Sequence, residues 1–437
     1  MITGGFVGTS TAPGGRPAAP AAPLLTRPGF VLVVVLATWT AVPSLVADPK
    51  LTWSLTAALL ALVVNALWRH LRNLRWTTPV TLLAVVLACG LVSTLHFGTL
   101  TDLMSNGGTA LLVLGCALLA AHCDRADLQL LVRGVVLLAL VELAVATASA
   151  LFGMPAPWGY LGTPGSTFET NPLLPAVGGR ATGSMSHPIP FGTLMAVAAV
   201  LCVPRLAAWR LPVRLGIAAA CCAGVALSGS RSAALALGLA LLATVLIPGI
   251  LRISPAWRTV AVLAVTGALI AVDAAELPVV AGLQGTGSLT HRLAALDAAG
   301  RLADRSPAQT LFGSGQGSLR DLFDAGLLQR DGFFAVDNQL VTTFAVAGLA
   351  GVVALVAAVA VSLLRGHRSS RPAALLMVVM FGSFDVLEWT ATAVLVAVLM
   401  CLRTRRRPDG EADLAGSSTA AGRSMLQMDP PPQHRTR

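Results

Sequence analysis

The sequence predicts an all-α, polytopic integral membrane protein. About twelve transmembrane helices are expected, with a large, partly helical extracytoplasmic loop between helices 9 and 10. Three observations carry this prediction. Hydrophobic residues make up 55% of the chain and charged residues only 11%, with a mean hydropathy of +0.76; soluble domains carry about 25% charged residues. Apolar runs close to the roughly 17–25 residues that cross a bilayer recur along the chain. Arginines fall between those runs in a regular alternation.

In chain order, residues 1–29 are rich in Pro, Gly and Ala, hold Arg16 and Arg27 and no acid, and predict a disordered cytoplasmic tail. The expected spans are 30–47, 51–68, 78–95, 109–122, 128–152, 189–203, 214–228, 232–250, 257–275, 338–364, 372–386 and 388–402. The first has signal-peptide-like flanks, but its length and the poor cleavage site Leu45-Val46-Ala47 predict an uncleaved anchor. Spans 1–9 thus occupy 30–275 and spans 10–12 occupy 338–403. Residues 404–437 are polar and Pro-rich and predict a second disordered tail.

Charge sets the expected orientation. Eight of the thirty basic residues (Lys50, Arg180, Arg231, Arg292, Arg301, Arg305, Arg320 and Arg330) fall on one side, and the rest fall on the other or in the tails. By the positive-inside rule both termini are cytoplasmic. The net charge of +10 is then mostly a topology signal, and nucleic acid is not an expected partner. The two long loops, 153–188 and 276–337, both fall on the outer side. The second has a helical pattern over His291–Arg305 and then the turn-rich run Gly313-Ser-Gly315-Gln-Gly317, which predicts a folded segment whose tight turns let backbone approach another loop or a ligand. The seven cysteines lie in or beside apolar runs and imply no disulfide framework, and no His/Cys cluster has zinc spacing.

The few outer cations are the informative residues. Ser228-Gly229-Ser230-Arg231 separates two apolar runs with almost no loop, and Ser228 or Ser230 can cap the helix that follows. A helix start offers free N–H groups and the positive end of its dipole, and Arg231 adds a fixed cation. An anion site, most simply for phosphate, is one reading; an arginine snorkelling to lipid headgroups is the other. Arg180 and Arg292 share that side and predict convergence on a diphosphate, or else pairing with Asp297, Asp304 or lipid. Asp337 serves either as a general base or, like Asn338, as the cap of the tenth span. His187 and His291 are outer-side acid/base candidates. Asp385 and Glu388 either bind a substrate hydroxyl or form a polar turn. Glu142 lies inside an apolar run, where an acid is neutral, hydrogen-bonded to a neighbouring helix, or part of a proton path.

Four stretches resemble the O-antigen ligase/O-antigen polymerase family of polytopic glycan transferases. They are Arg180 with Gly183 and His187-Pro188; Leu227-Ser-Gly-Ser-Arg231-Ser; His291-Arg292 followed by Leu311-Phe-Gly313-Ser-Gly315-Gln-Gly317-Ser; and Asp337-Asn338-Gln-Leu followed by Ala347-Gly348-Leu-Ala-Gly351. The resemblance implies an enzyme of the bacterial cytoplasmic membrane acting at its outer face. Its donor would be an undecaprenyl-diphosphate-linked glycan and its acceptor a glycan or lipid hydroxyl, with no metal or other cofactor. Arg180, Arg231 and Arg292 would hold the diphosphate, with Ser230, His187 and Asn338 in support. Family members commonly carry His-Asn where this chain has Asp337-Asn338, so the base role passes to Asp337 or His291. A secondary transporter or flippase is the other class considered. It predicts inverted repeats and helices broken at mid-membrane, and no repeat is evident in the sequence.

Overall fold

The computed structural model describes residues 23–163, 168–248, 250–251, 253–260, 287–329 and 335–403; the side chains of 168–169 and 287–293 are also outside the description. Among the described residues the structure is mainly helical, with one two-stranded ladder. Its helices are α1 (Pro28–Ala41), α2 (Pro49–Trp68), α3 (Thr78–Phe97), α4 (Leu100–His122), α5 (Arg125–Phe152), α6 (Pro188–Cys202), α7 (Leu211–Ser228), α8 (Arg231–Leu246), α9 (Gly287–Ala303), α10 (Pro307–Phe312), α11 (Leu319–Asp324), α12 (Gln339–Arg365), α13 (Arg371–Met380) and α14 (Thr390–Cys401). The ladder pairs β1 (Phe168–Thr170) with β2 (Gly179–Arg180), antiparallel.

Six of these helices (α2, α3, α4, α5, α7 and α12) are long and apolar enough to cross a membrane. Eleven of the twelve expected spans coincide with a helix, while most of the one placed at 257–275 lies outside the described residues. Several boundaries differ from expectation. α4 begins at Leu100 rather than 109, because Thr99 and Asp102 form a reciprocal capping box ahead of the apolar run. Asp124 and Asp127 do the same for α5.

Five apolar helices are short, from the 10 residues of α13 to the 16 of α8. At 1.5 Å per residue they extend roughly 15–24 Å, against about 30 Å of bilayer hydrocarbon. α6 and α14 are buried along their whole length and form the centre of the bundle. α6 packs against α5, α7, α8 and α13, and α14 against α1, α4 and α13. Helices that are apolar all round belong in such a position.

One end of the bundle is rich in arginine, and there two guanidinium groups close helix C-termini. Arg214 donates to the Cys202 and Val203 carbonyls at the end of α6. Arg371 does the same for Leu364 and Gly366 at the end of α12. Arg27 and Asp127 pair at 3.4 Å. The opposite end carries the folded loops. There α9, α11 and the first turns of α12 enclose a second core of Ala295, Ala298, Leu302, Leu322, Leu328, Val336, Val341 and Ala345. Of the loop expected to be folded, the described part at 287–329 is folded, with a helix at Gly287–Ala303.

α12 is not one continuous helix. Gly348 has φ +65 and ψ −168, which breaks it into Gln339–Ala347, part of the second core, and a longer apolar segment ending at Arg365. The break frees carbonyls at residues 344–346. Arg305 donates to those of Phe344 and Ala345, Ser314 N–H to Ala345 and Gly315 N–H to Val346. The glycines of 313–317 fit this role. A Cβ on Gly313 would strike the Val346 carbonyl, one on Gly315 would lie 2.5 Å from the Thr94 amide, and one on Gly317 would meet Asp102. The run is a tight turn wedged among α3, α4 and α12.

Candidate functional site

The site is built where α7 turns into α8. Ser228 ends α7, Gly229 takes φ +61, and Ser230 caps α8 by accepting from Ala233 N–H at 3.3 Å. Arg231 is therefore the first residue of α8, beside its free amides. Of the two serines that sequence allowed as the cap, Ser230 is the one used. Ser228 donates to the Val225 carbonyl and accepts the Ser230 N–H instead.

The loop before α6 folds over this turn. Asn171, fully buried, donates to the carbonyls of Ala226 and Leu227 and accepts from the amides of Leu173 and Leu174. It splices the loop to the exposed C-terminal carbonyls of α7. Arg180 Nε donates to the Ser228 carbonyl at 2.9 Å, and Ala181 N–H to that of Leu227. Arg180 and Arg231 thus meet at the same turn, Arg180 through its bond to the Ser228 carbonyl and Arg231 as the first residue of α8. Gly192 of α6 faces it from below, where a Cβ would lie 2.5 Å from Ser228 Oγ.

From Arg180 the chain runs inward through Ala181–Ser186, all buried, to His187. His187 caps α6, its Nδ1 accepting the Ile189 N–H at 3.2 Å, which leaves the proton of a neutral ring on Nε2. Burial and the nearby Arg180 cation lower its pKa to about 3. His187 is therefore neutral at physiological pH. Ser186 takes φ +56, unusual for a residue with a Cβ, and its buried hydroxyl has no hydrogen-bond partner among the described residues.

The His187 ring lies between Tyr160, at 5.5 Å, and Trp389, at 5.6 Å. Trp389 ends the turn between α13 and α14 that holds Asp385 and Glu388. Asp385 lies near the Thr342 hydroxyl and the amides of Leu387 and Glu388, which favour its charged form. Burial and then the Glu388 charge raise its carboxyl well above the usual range. Glu388 keeps solvent access, and the protein packed around it raises its carboxyl as well. This turn is tied to α12 through Leu387 N–H to Gln339 Oε1 and Gln339 N–H to the Phe381 carbonyl.

The structure thus gathers Arg180, Ser230, Arg231 and His187, and it links them through Trp389 to Asp385 and Glu388. Asn338, and not Asp337, caps α12, accepting from the amides of Leu340 and Val341. Asp337 is the half-buried residue just before that cap. His291 and Arg292 fall on the first turns of α9, and their side chains lie outside the described residues. Sequence reasoning missed Asn171 and Trp389. The Asn171-Pro172 dipeptide is a turn signal, but nothing local indicates that its side chain reaches α7. Among the described residues no group of three His, Cys, Asp or Glu is placed to hold a metal ion.

No family model matches this chain, and no curated protein matches it.

Proposed function

We propose that the protein transfers a glycan from a lipid-diphosphate donor to a hydroxyl acceptor at the outer face of a bacterial cytoplasmic membrane. Both termini would be cytoplasmic, and undecaprenyl diphosphate would be the lipid carrier. The observation that carries this reading is that Arg180, bonded to the Ser228 carbonyl, and Arg231, the first residue of α8, meet at the one turn whose Ser230 caps that helix. Two guanidinium groups and a helix N-terminus suit paired phosphates. In glycan transfer the diphosphate leaves and gains negative charge, which donors fixed in advance stabilise more in the transition state than in the ground state. The short helices fit a site sunk below the lip of the bilayer, where a lipid-linked substrate arrives.

A hydroxyl acceptor needs a proton acceptor. Asp337 and His291 are the residues carried over from the resemblance, and the raised carboxyls of Asp385 and Glu388 are two more at the same end. Arg292 would join the diphosphate site from α9.

A second reading, a transporter of an anionic or lipid-linked substrate, is favoured by the broken α12, since discontinuous helices build many transporter sites. The break here is filled by Arg305 and the 313–317 turn, which leaves the transferase reading the better supported. The test supplies purified protein with an undecaprenyl-diphosphate oligosaccharide and follows glycan chain growth and released undecaprenyl diphosphate. Arg231→Ala should abolish both. Full activity in that variant, or flux of the intact lipid across liposomes without release, counts against the proposal.

A further inference from the structure

Glu142 sits within α5 and is 3% exposed. Its carboxyl faces the buried Ala181–Ser186 loop. One oxygen, Oε2, accepts the Ser184 N–H at 2.7 Å, and the other, Oε1, lies 2.5 Å from Ser184 Oγ. That same Oγ lies 2.9 Å from the carbonyl of Thr40, in the last turn of α1. Thr40 follows Thr38, whose carbonyl takes the cap amide of that helix, so it falls among the carbonyls that a helix end leaves to other donors. Gly183, at φ +58, lets the loop come this close, because a Cβ there would strike Glu142 Oε2.

The hydrogens can be counted. A serine hydroxyl has one to give, and both a carbonyl and an ionised carboxylate can only accept. Ser184 Oγ has two such neighbours. Both contacts are hydrogen bonds when the carboxyl brings its own hydrogen. Glu142 O–H then donates to Ser184 Oγ, Ser184 O–H donates to the Thr40 carbonyl, and Ser184 N–H donates to the second carboxyl oxygen. An ionised Glu142 would take the serine hydrogen, leave the Thr40 carbonyl without it and hold a charge inside an apolar bundle, which is costly. The ion pairs seen among the described residues, Arg27–Asp127 and Arg320–Asp324, do not involve it.

We infer that Glu142 is protonated and neutral and serves as a positioning residue, an uncharged post that ties α1, α5 and the 181–186 loop together and so fixes Arg180 and His187 at the loop's two ends. A proton carrier must give up its hydrogen, and here that would undo the contact that holds the loop. The protonation state stands independently of the glycan-transfer reading; the positioning role rests on it.

The test uses the full chain in lipid nanodiscs. Infrared difference spectra between the parent and Glu142→Gln at neutral pH should lose a protonated-carboxyl C=O band and no carboxylate bands. Gln can reproduce both bonds, its NH2 donating to Ser184 Oγ and its carbonyl accepting the Ser184 N–H. Glu142→Gln should therefore melt with the parent and keep its release of undecaprenyl diphosphate, while Glu142→Ala loses both or fails to fold. Loss of carboxylate bands instead, or a Glu142→Gln melting temperature as low as that of Glu142→Ala, overturns the inference. If the parent shows no glycan transfer, the spectra and melting still decide the protonation. A Glu142→Gln variant that melts normally but loses transfer overturns the positioning role alone.

Discussion

Arg305 donates to the carbonyl of Ala345 at 2.9 Å, across the point where α12 breaks. Its guanidinium also reaches the Phe344 and Leu302 carbonyls and the Ser314 hydroxyl, and it lies 5.4 Å from the Phe344 ring. Burial lowers its pKa to about 10, which still leaves it charged at physiological pH. This cation acts as a cap for an interrupted helix, and several charge-assisted bonds at once make it hard to replace.

Arg305→Ala should therefore destabilise the unit formed by α9–α11 and the first turns of α12. Bonds to charged groups contribute about 1.5–3 kcal/mol each but are not additive, so a total of about 2–4 kcal/mol is expected. Arg305→Lys should recover little, because an ammonium lacks the planar fork that serves two adjacent carbonyls. Thermal melting of the purified chain reads the loss, and limited proteolysis should map new cleavage to 306–318. Melting of the Lys variant with the parent would refute this account of the break.

Gly229 offers a test of the turn at which Arg180 and Arg231 meet. Its φ of +61 suits glycine, and a Cβ would lie 2.8 Å from Asn171 Oδ1, 2.9 Å from Pro172 Cδ and 3.0 Å from Arg180 Cγ. Gly229→Ala meets both problems. Gly229→Asn eases the backbone, since Asn tolerates the left-handed region, but not the crowding. Both variants should displace the 171–180 loop and lose substrate binding, with Asn no better than Ala by more than about 1 kcal/mol. Full rescue by Asn would show that backbone conformation alone requires the glycine. Melting curves and lipid-diphosphate binding give the two readouts.

How much of this was legible beforehand follows the range of the interactions. The helices were, because apolar runs and capping residues are local, and Ser230 and Asn338 cap helices within the sequence windows that suggested them. The turn of glycines at 313–317 was legible as a close approach, but its target was not. The residues it meets, Thr94, Asp102 and Val346, come from three other helices. Arg180 was expected beside Arg231, and the structure adds the Ser228 carbonyl that holds it there. That His187 Nδ1 is spent on a helix cap could not be read from the sequence, because the Ile189 amide it accepts from belongs to the fold of the turn. Glu142 could be marked as an intramembrane acid, but its three open roles separate only when Ser184 and Thr40 are seen around it.

Histidine 187 makes the pH behaviour predictable. Its folded pKa of about 3 lies below the usual 6.5, so between those values the unfolded chain binds a proton that the folded chain does not. Its contribution to stability is complete above about pH 6.5 and declines as the pH falls toward 3. Protonation would also end the acceptance of the Ile189 N–H and set a second cation near Arg180. His187→Asn keeps a good cap without a titrating ring. The parent's melting temperature should fall between pH 6.5 and 4 more steeply than that of His187→Asn. Parallel curves would show that other groups control the acid response.

Ser186 supplies a prediction of opposite sign, because it combines a left-handed backbone with a buried hydroxyl that has no partner among the described residues. Ser186→Gly removes both defects. The left-handed conformation costs a residue with a Cβ about 1–2 kcal/mol, and an unmade buried hydrogen bond about 1–3 kcal/mol, while glycine's greater freedom in the unfolded chain returns roughly 0.5–1 kcal/mol of that gain. The variant should be more stable than the parent by about 1–4.5 kcal/mol, seen as a higher melting temperature. Such residues persist where the surroundings over-determine them, and they concentrate near functional sites. Ser186 is the residue before His187, so a stabilised variant with slower release of undecaprenyl diphosphate would tie the strain to the site. A variant with a higher melting temperature and unchanged release would make Ser186 a tolerated defect of the fold, and a lower melting temperature would show that the hydroxyl is satisfied after all.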